Sequence, residues 1–427
     1  MSNIIPAAKG TQVILPAEVS RWQRLEDLAR EVSELYGYRE IRFPMFEHTE
    51  LFQRGIGEET EVVEKEMYTF PDRSGRSLTL RPEGTASVAR AFVEMKMQPG
   101  AFWKVYYLGP MFRYERPQGG RFRQFHQYGI EAIGSADPAL DAEVILLAME
   151  FYRRLGLEGL IAEINSLGCP ACRPRYREIL RTYLESRIGE VCPECQRRFE
   201  RNILRILDCK KEACRQVVSG APEIFPFLCE GCLEHFEEVK KNLELMNHPY
   251  RVNPLIVRGL DYYTRTVFEV LSENLGAQNT LCGGGRYDGL IEEVGGGPTP
   301  AVGFASGIER ALMVLAAQKG ALGESSGVLA FLVPIGEEAR VEAQKLLYRL
   351  REGGIAADRD YSQKGLKAQM KAADRAGAAY ALIIGEDELA ARTVTLKRLA
   401  TGEQETVGMD RVLEVLGKKS GLQIQAV

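Results

Sequence analysis

The chain has no apolar run approaching the roughly 20 residues that a bilayer span requires, so a membrane protein is not expected. Its first residues, Met-Ser-Asn-Ile-Ile-Pro, lack a basic stretch followed by an apolar core, which argues against a secretory signal. A cytoplasmic location is the expectation. Nine cysteines there read as thiols or metal ligands rather than disulfides. There is no surplus of either charge: 55 basic and 59 acidic side chains leave a net −4. That balance does not announce a nucleic-acid protein, although a local basic surface would suffice to hold phosphates. Also missing are a Gly-x-x-x-x-Gly-Lys-Ser/Thr loop and the Rossmann glycine fingerprint, so any nucleotide must be held by another device. No internal repeat or low-complexity tract is present. The four histidines (His48, His126, His235, His248) do not cluster in sequence.

What is present fits a soluble chain of 427 residues, 45% hydrophobic and 27% charged, too long for a single core. Trp22, Leu25, Leu28, Ala29, Val32 and Leu35 recur at helical steps, which predicts a helix over 18–36. A strand is expected over 39–46, two antiparallel strands over 104–115 and 122–133, and a helix over 140–155. Composition shifts at Gly168, and 168–247 reads as a mostly helical insertion carrying eight of the nine cysteines. Strand patterning returns at 250–271, and Gly303–Leu315 reads as a strand end entering a helix. Residues 318–327 are linker-like. Beyond them strands at 329–335, 355–360 and 380–384 alternate with helices at 337–352 and 366–376, the pattern of a small α/β domain with a mainly parallel sheet. The expected organisation is therefore a catalytic domain over 1–325, interrupted by the insertion, and a second domain over 328–427.

The device that replaces a P-loop is sought in 112–125, Phe-Arg-Tyr-Glu-Arg-Pro-Gln-Gly-Gly-Arg-Phe-Arg-Gln-Phe. Alternation puts Arg113 and Glu115 on one face of a strand, with Phe125 and Gln127 opposite them on the returning strand. A guanidinium holds phosphate bidentately, an aromatic face stacks on a purine, and a carboxylate accepts from an exocyclic amine. On spacing alone a solvated arginine-rich hairpin is an equal reading. A second basic element, Gly303-Phe-Ala-Ser-Gly-Ile-Glu-Arg310, places Arg310 in the first turns of a helix. Alone it also describes a helix packed through glycines with a surface arginine.

Together the two resemble motifs two and three of the class II aminoacyl-tRNA synthetases. Three further strings narrow the resemblance to the histidyl-tRNA synthetases: Leu80-Arg-Pro-Glu-Gly-Thr85, Arg258-Gly-Leu-Asp-Tyr-Tyr-Thr-Arg-Thr-Val-Phe-Glu269 and Gly283-Gly-Gly-Arg-Tyr-Asp-Gly-Leu290. The likeness runs from Gly10 to Glu405. It implies an α+β catalytic domain with an antiparallel sheet flanked by helices, a homodimer through about residues 10–50, and a C-terminal α/β anticodon-binding domain. Residue 13 is valine where the family commonly has aspartate, which touches interface packing rather than chemistry. The implied reaction joins L-histidine to tRNA(His) through an adenylate made from ATP with Mg²⁺. The implied histidine pocket comprises Glu83, Gly84, Thr85, Gln127, Glu131, Tyr262, Tyr263 and Tyr287, with Arg113 and Arg258 at the reacting centre. Glu115, Arg121, Phe125 and Arg310 are implied for the rest of ATP, and Arg116, Gln118 and Arg123 for the tRNA acceptor end. Lys364, Lys367, Lys371, Lys397 and Arg398 are candidates for tRNA contacts in the second domain, or equally a solvated charged face.

The insertion's cysteines come in pairs: Cys169/Cys172, Cys192/Cys195, Cys209/Cys214 and Cys229/Cys232. Two-residue spacing lets both thiolates reach one tetrahedral metal, so one or two structural zinc ions fit. Buried reduced thiols fit as well, and the resemblance implies no metal there for synthetase activity; the sequence leaves both readings open. Two binding-only relatives compete with the enzyme. A regulatory subunit of ATP phosphoribosyltransferase predicts eroded histidyl motifs, whereas 258–269 and Arg310 stand intact. A sensor of uncharged tRNA predicts a fused module of different function.

Overall fold

Alternation along the strands sorts the side chains into two layers before any helix is placed. On Gln124–Ile133, Tyr128, Ile130 and Ala132 face one way and Gln127, Glu131 and Ile133 the other; on Trp103–Phe112, Tyr106 opposes Tyr107 and Met111. These strands belong to an eight-stranded sheet in a computed structural model that describes residues 4–58, 60–96, 101–116, 120–272, 280–319, 327–362 and 364–420. The order is Arg39–Glu40, Trp103–Phe112, Gln124–Ile133, Ala301–Gly307, Thr280–Arg286, Thr264–Ser272, Leu160–Ser166, Tyr250–Val252. The inner pairings are antiparallel and only the two edge strands pair in parallel.

Four helices, Pro16–Leu35, Pro138–Leu155, Glu230–Leu245 and Ile308–Lys319, cover one face. The first starts at Pro16, whose fixed φ suits a helix's opening turn, and stops before Gly37 at φ +80°. Its Leu25 is 1% exposed, and truncating such a side chain costs about 2–5 kcal/mol. Among the described residues no helix is long and apolar enough to cross a membrane. The other face carries helix Thr85–Glu94, Tyr107, Tyr262, Tyr263 and Tyr287, and this is where the site lies.

Several boundaries differ from the expectation. The strand expected over 39–46 is two: Arg39–Glu40 pairs with Val105–Tyr106, and Phe46–His48 joins a separate three-stranded sheet with Ser77–Leu80 and Tyr68–Pro71. Pro44, which has no N–H to give a ladder, sits in the break, and its carbonyl and that of Phe43 accept from buried Arg81. The hairpin strand ends at Phe112. Past it the Tyr114 N–H turns to the Glu66 carbonyl (2.7 Å) and the Glu115 N–H folds back on Arg113 (2.8 Å). The partners of Phe125 and Gln127 are therefore Met111 and Gly109, not Arg113 and Glu115. Segment 250–271 is also two strands, with 253–263 between them free of ladder pairing. Gln318 and Lys319, assigned to the linker by composition, complete a helix, and the Gln318 amide donates to Ser272 Oγ (2.8 Å). Residues 320–326 of that linker lie outside the described residues.

The insertion builds its own core from Tyr176, Leu180, Leu184, Phe199 and Val217 on helices Arg173–Glu185, Pro193–Arg201 and Glu212–Val218, with Ile224 beyond the last of them. The chain divides into two compact units, Met1–Leu322 and Gly323–Val427. In the second, Ala357–Arg359, Ala330–Pro334 and Tyr380–Ile384 run parallel. Thr393–Arg398 and Gln404–Gly408 add antiparallel to the edge, so the sheet is half antiparallel rather than mainly parallel. Gly402 at φ +77° lies in the turn that makes this hairpin possible.

Candidate active site

The open face of the large sheet holds a cleft of 660 Å³ whose wall includes Arg113, Glu115, Arg121, Phe125, Gln127, Arg258 and Arg310. They come from different stretches: the end of one strand, the hairpin's return, the segment before Thr264, and the first turn of a helix. Arg113 is held by the Pro82 carbonyl (Nε to O 2.9 Å) and lies 5.5 Å over the Phe125 ring. Arg258 donates to Glu269 (2.5 Å), whose other oxygen accepts from Thr280 Oγ1 (3.1 Å). Burial works against the Arg258 charge, but Glu269 and then Tyr263 hold its pKa above the ordinary guanidinium value. Its Nε has no partner among the described residues. Gly283 passes beneath this guanidinium so closely that a Cβ there would lie 2.3 Å from it. Arg310 donates to the Thr280 carbonyl (3.2 Å), and burial followed by Arg121 lowers its pKa. Arg121 itself is more than half exposed and reaches Glu115 at 3.3 Å.

Beside the cleft is a buried polar cluster. Glu131, fully buried, accepts from Thr85 Oγ1 (2.6 Å) and from the Tyr287 hydroxyl. Tyr287 packs on Tyr262 (5.6 Å between centroids), and Tyr262 on Tyr263 (4.6 Å). Gly303 leaves the room Glu131 occupies: a Cβ there would meet its carboxylate at 2.0 Å. Glu83 accepts from the N–H groups of Thr85 (2.7 Å) and Ala86 (2.8 Å), capping a helix that starts just beyond Gly84. Gln127 joins the two regions, lining the cleft while its buried Oε1 finds no partner among the described residues. The Tyr107 hydroxyl is also without a partner among the described residues. Buried polar atoms of this kind are costly unless something completes them.

Burial pushes the Glu131 carboxyl up to about 8, against the bonds from Thr85 and Tyr287 and with Glu83 adding to the push. An unfolded-chain glutamate ionises near pH ~4.3, so between there and about pH 8 the folded chain holds the extra proton. Stability then falls as pH rises through that window and levels off above it. The thermal midpoint of the ligand-free wild type is expected to drop more between these limits than that of Glu131→Gln. Parallel curves for the two proteins would refute the assignment.

Of the residues implied for tRNA, Arg116 is exposed, and Gln118 lies outside the described residues. Arg123 does not line the cleft; its guanidinium lies 3.7 Å over the Tyr114 ring and donates to the Glu115 carbonyl (3.3 Å). In the second unit Lys364, Lys367, Lys371 and Arg398 are exposed and Lys397 is half-buried. Some contributors went unread. Glu269 and Thr280 steady Arg258, and Arg198, Arg205, Lys210 and Lys211 bring the insertion to the cleft wall. Asp141, on helix Pro138–Leu155, pairs with Arg286, the residue before Tyr287, and with His235 (3.3 Å). The only signal for that pair was a polar residue on an otherwise apolar helix face.

The family profile described as Histidyl-tRNA synthetase matches residues 10–170 and 193–311. The chain belongs to the histidyl-tRNA synthetase family. A second profile, Anticodon binding domain, matches residues 330–419. Among similar proteins, a histidine–tRNA ligase of Pelotomaculum thermopropionicum is 54% identical over 412 residues, 96% of this chain and 97% of that one. One of Bacillus velezensis is 52% identical over 412 residues, with 96% and 97% covered. The apo histidyl-tRNA synthetase of S. aureus superposes with a TM-score of 0.81 at 41% identity, covering 97% of this chain and 100% of that one. An ATP phosphoribosyltransferase regulatory subunit/histidyl-tRNA synthetase from Bacillus halodurans shares the fold at TM-score 0.64 and 21% identity, over 90% of this chain and 99% of that one. Membership makes this an aminoacyl-tRNA synthetase: a large mixed sheet flanked by helices, followed by an anticodon-binding domain with its own sheet.

Proposed function

We propose that this chain activates L-histidine with ATP and transfers it to the 3′ end of tRNA(His). The observation that carries this is the meeting of Arg113, Arg258 and Arg310 in one cleft that adjoins the Glu131–Thr85–Tyr287 cluster. In the first step a carboxylate oxygen of histidine attacks the α-phosphorus, the bond to the β-phosphate oxygen breaks, and pyrophosphate leaves. The nucleophile is already ionised, so no general base is needed; catalysis is positioning and charge stabilisation. Arg113 and Arg258 take the α-phosphate from two sides, and Arg258 also meets the substrate carboxylate. Arg121 and Arg310 hold the γ-phosphate end, Phe125 stacks on adenine, and Glu115 accepts from its amino group.

Glu83, Thr85 and the unpaired Gln127 Oε1 receive the α-ammonium over Gly84; Glu131 and Tyr263 meet the imidazole, and Tyr262 and Tyr287 wall the pocket. Such a buried set rejects side chains that leave its groups unpaired. Mg²⁺ fits the cleft, because the carboxylates of Glu66 and Glu115 both line it, and burial and then Glu115 raise the Glu66 pKa, the mark of like charges held close. The ion would take most ligands from phosphates and water and offset charge on the departing pyrophosphate. In the second step a ribose hydroxyl of the terminal nucleotide attacks the adenylate carbonyl carbon and AMP leaves. Arg116, Gln118 and Arg123 serve the acceptor end, and Lys364, Lys367, Lys371, Lys397 and Arg398 serve the anticodon arm. The eight insertion cysteines stand outside this reaction, and a metal held there is structural.

The working form is a cytoplasmic homodimer. Val13, Leu15, Met45 and Phe46 are each more than half exposed in the single chain, an apolar surface that a second copy would cover. The test is exchange of labelled pyrophosphate into ATP, which should require histidine among the amino acids, followed by charging of tRNA(His). Histidine binding without exchange would favour the regulatory-subunit reading instead.

A further inference from the structure

The insertion gathers its eight cysteines into two groups, one nested inside the other in sequence. Cys169 and Cys172 meet Cys229 and Cys232; Cys192 and Cys195 meet Cys209 and Cys214; within each group the sulfurs lie within 4.8 Å of one another. All are free thiols. In the outer group the Sγ of Cys169 is 3.5 Å from that of Cys172 and 3.9 Å from that of Cys229. A zinc–thiolate bond of about 2.3 Å sets the sulfurs of a regular tetrahedron about 3.8 Å apart. A polynuclear iron–sulfur cluster would spread its four sulfurs further, so the spacing suits a single ion.

The backbone favours thiolates at the same places. Cys172, Cys192 and Cys229 each immediately precede a helix, Arg173–Glu185, Pro193–Arg201 and Glu230–Leu245, where the dipole is positive. The Cys229 N–H donates to Cys172 Sγ (3.1 Å) and the Cys192 N–H to Cys214 Sγ (3.2 Å). Arg173 lies near the outer group and Arg198 near the inner one, each offering countercharge. Plain packing of reduced thiols gives no reason for four sulfurs to converge twice with donors aimed at them.

We infer that each group binds one zinc ion with four sulfur ligands. Four protein ligands leave no open position for substrate, so both sites are structural. The outer ion ties the point where the insertion leaves the catalytic domain to the point where it returns. The inner ion fixes the loop that includes Cys209, Lys210 and Lys211, which lies on the wall of the same cleft as Arg258. Loss of the inner ion should therefore weaken the hold on ATP, and that consequence alone rests on the proposed reaction.

The test is the metal content of full-length protein purified without chelator from zinc-supplemented culture. The expected content is two zinc per chain, falling to one in Cys229→Ser/Cys232→Ser and to one in Cys209→Ser/Cys214→Ser. Should a variant fail to fold, cobalt exchanged into the wild type gives the same answer: two ions per chain, with sulfur-to-cobalt charge transfer and a tetrahedral ligand field. One zinc or none in the wild type, iron in its place, or cobalt without thiolate bands overturns the inference. Metal content does not depend on catalysis. A two-zinc protein without histidine-dependent exchange would refute the enzyme reading alone, and an active metal-free protein would refute the zinc sites alone.

Discussion

Arg258→Ala is expected to lower histidine-dependent pyrophosphate exchange by about two to three orders of magnitude, a loss of ~3–4 kcal/mol in transition-state stabilisation. The size follows from where the guanidinium sits. It is half-buried, its position is fixed by Glu269, and Glu269 is itself steadied by Thr280. A preorganised cation does not have to reorganise as charge develops on the α-phosphate. The effect should fall on kcat more than on the KM values. Arg258→Lys should recover only part of it, because an ammonium cannot reproduce the planar fork. An exchange rate within tenfold of the wild type would remove Arg258 from the reacting centre.

The largest expected stability effect lies behind the site rather than in it. The side chains of Arg286 and Asp141 are fully buried, and Arg286 Nε donates to both Asp141 oxygens at 3.1 Å. Nη1 donates to the Ser135 carbonyl (2.9 Å) and Asp288 (3.2 Å), Nη2 to Asp141 and the Asp137 carbonyl (3.4 Å), and His235 completes Asp141. Burial raises the Asp141 pKa, but His235 and Arg286 outweigh it, so the carboxyl stays below its ordinary range. Arg286→Met leaves that carboxylate buried beside His235 alone, a loss of about 3–5 kcal/mol. Because Tyr287 follows directly and bonds Glu131, the KM for histidine should rise as well. Adding Asp141→Leu should return part of the stability, since no unpaired charge remains. Denaturant unfolding of the single and double variants measures this. A single variant within about 1 kcal/mol of wild type would contradict it.

These two arginines also mark what a sequence can and cannot disclose. Long periodic elements such as Pro16–Leu35 and Pro138–Leu155 are legible because burial imposes a helical repeat. Breaks set by a single backbone event are less so. Residues 39–46 read as one strand until Pro44 and the demands of Arg81 divide them. The arginines around the cleft look like a solvated hairpin and a surface helix when read by spacing; resemblance to a family drew them into one site. Partnerships across long separations escape both readings. Arg286 meets Asp141 across 145 positions, and the first and last cysteine pairs of the insertion meet across its inner two. Such contacts are fixed by how sheet and helices pack, which no local period encodes.

Guanidinium groups from separate segments should surround one nucleotide next to a pocket for the imidazole. A crystal structure with ATP and histidinol, which lacks the attacking carboxylate, tests it most directly. The α-phosphate should lie between Arg113 and Arg258, the γ-phosphate at Arg310, and the imidazole against Glu131. A nucleotide bound away from these arginines, or a ring that leaves Glu131 untouched, would contradict it.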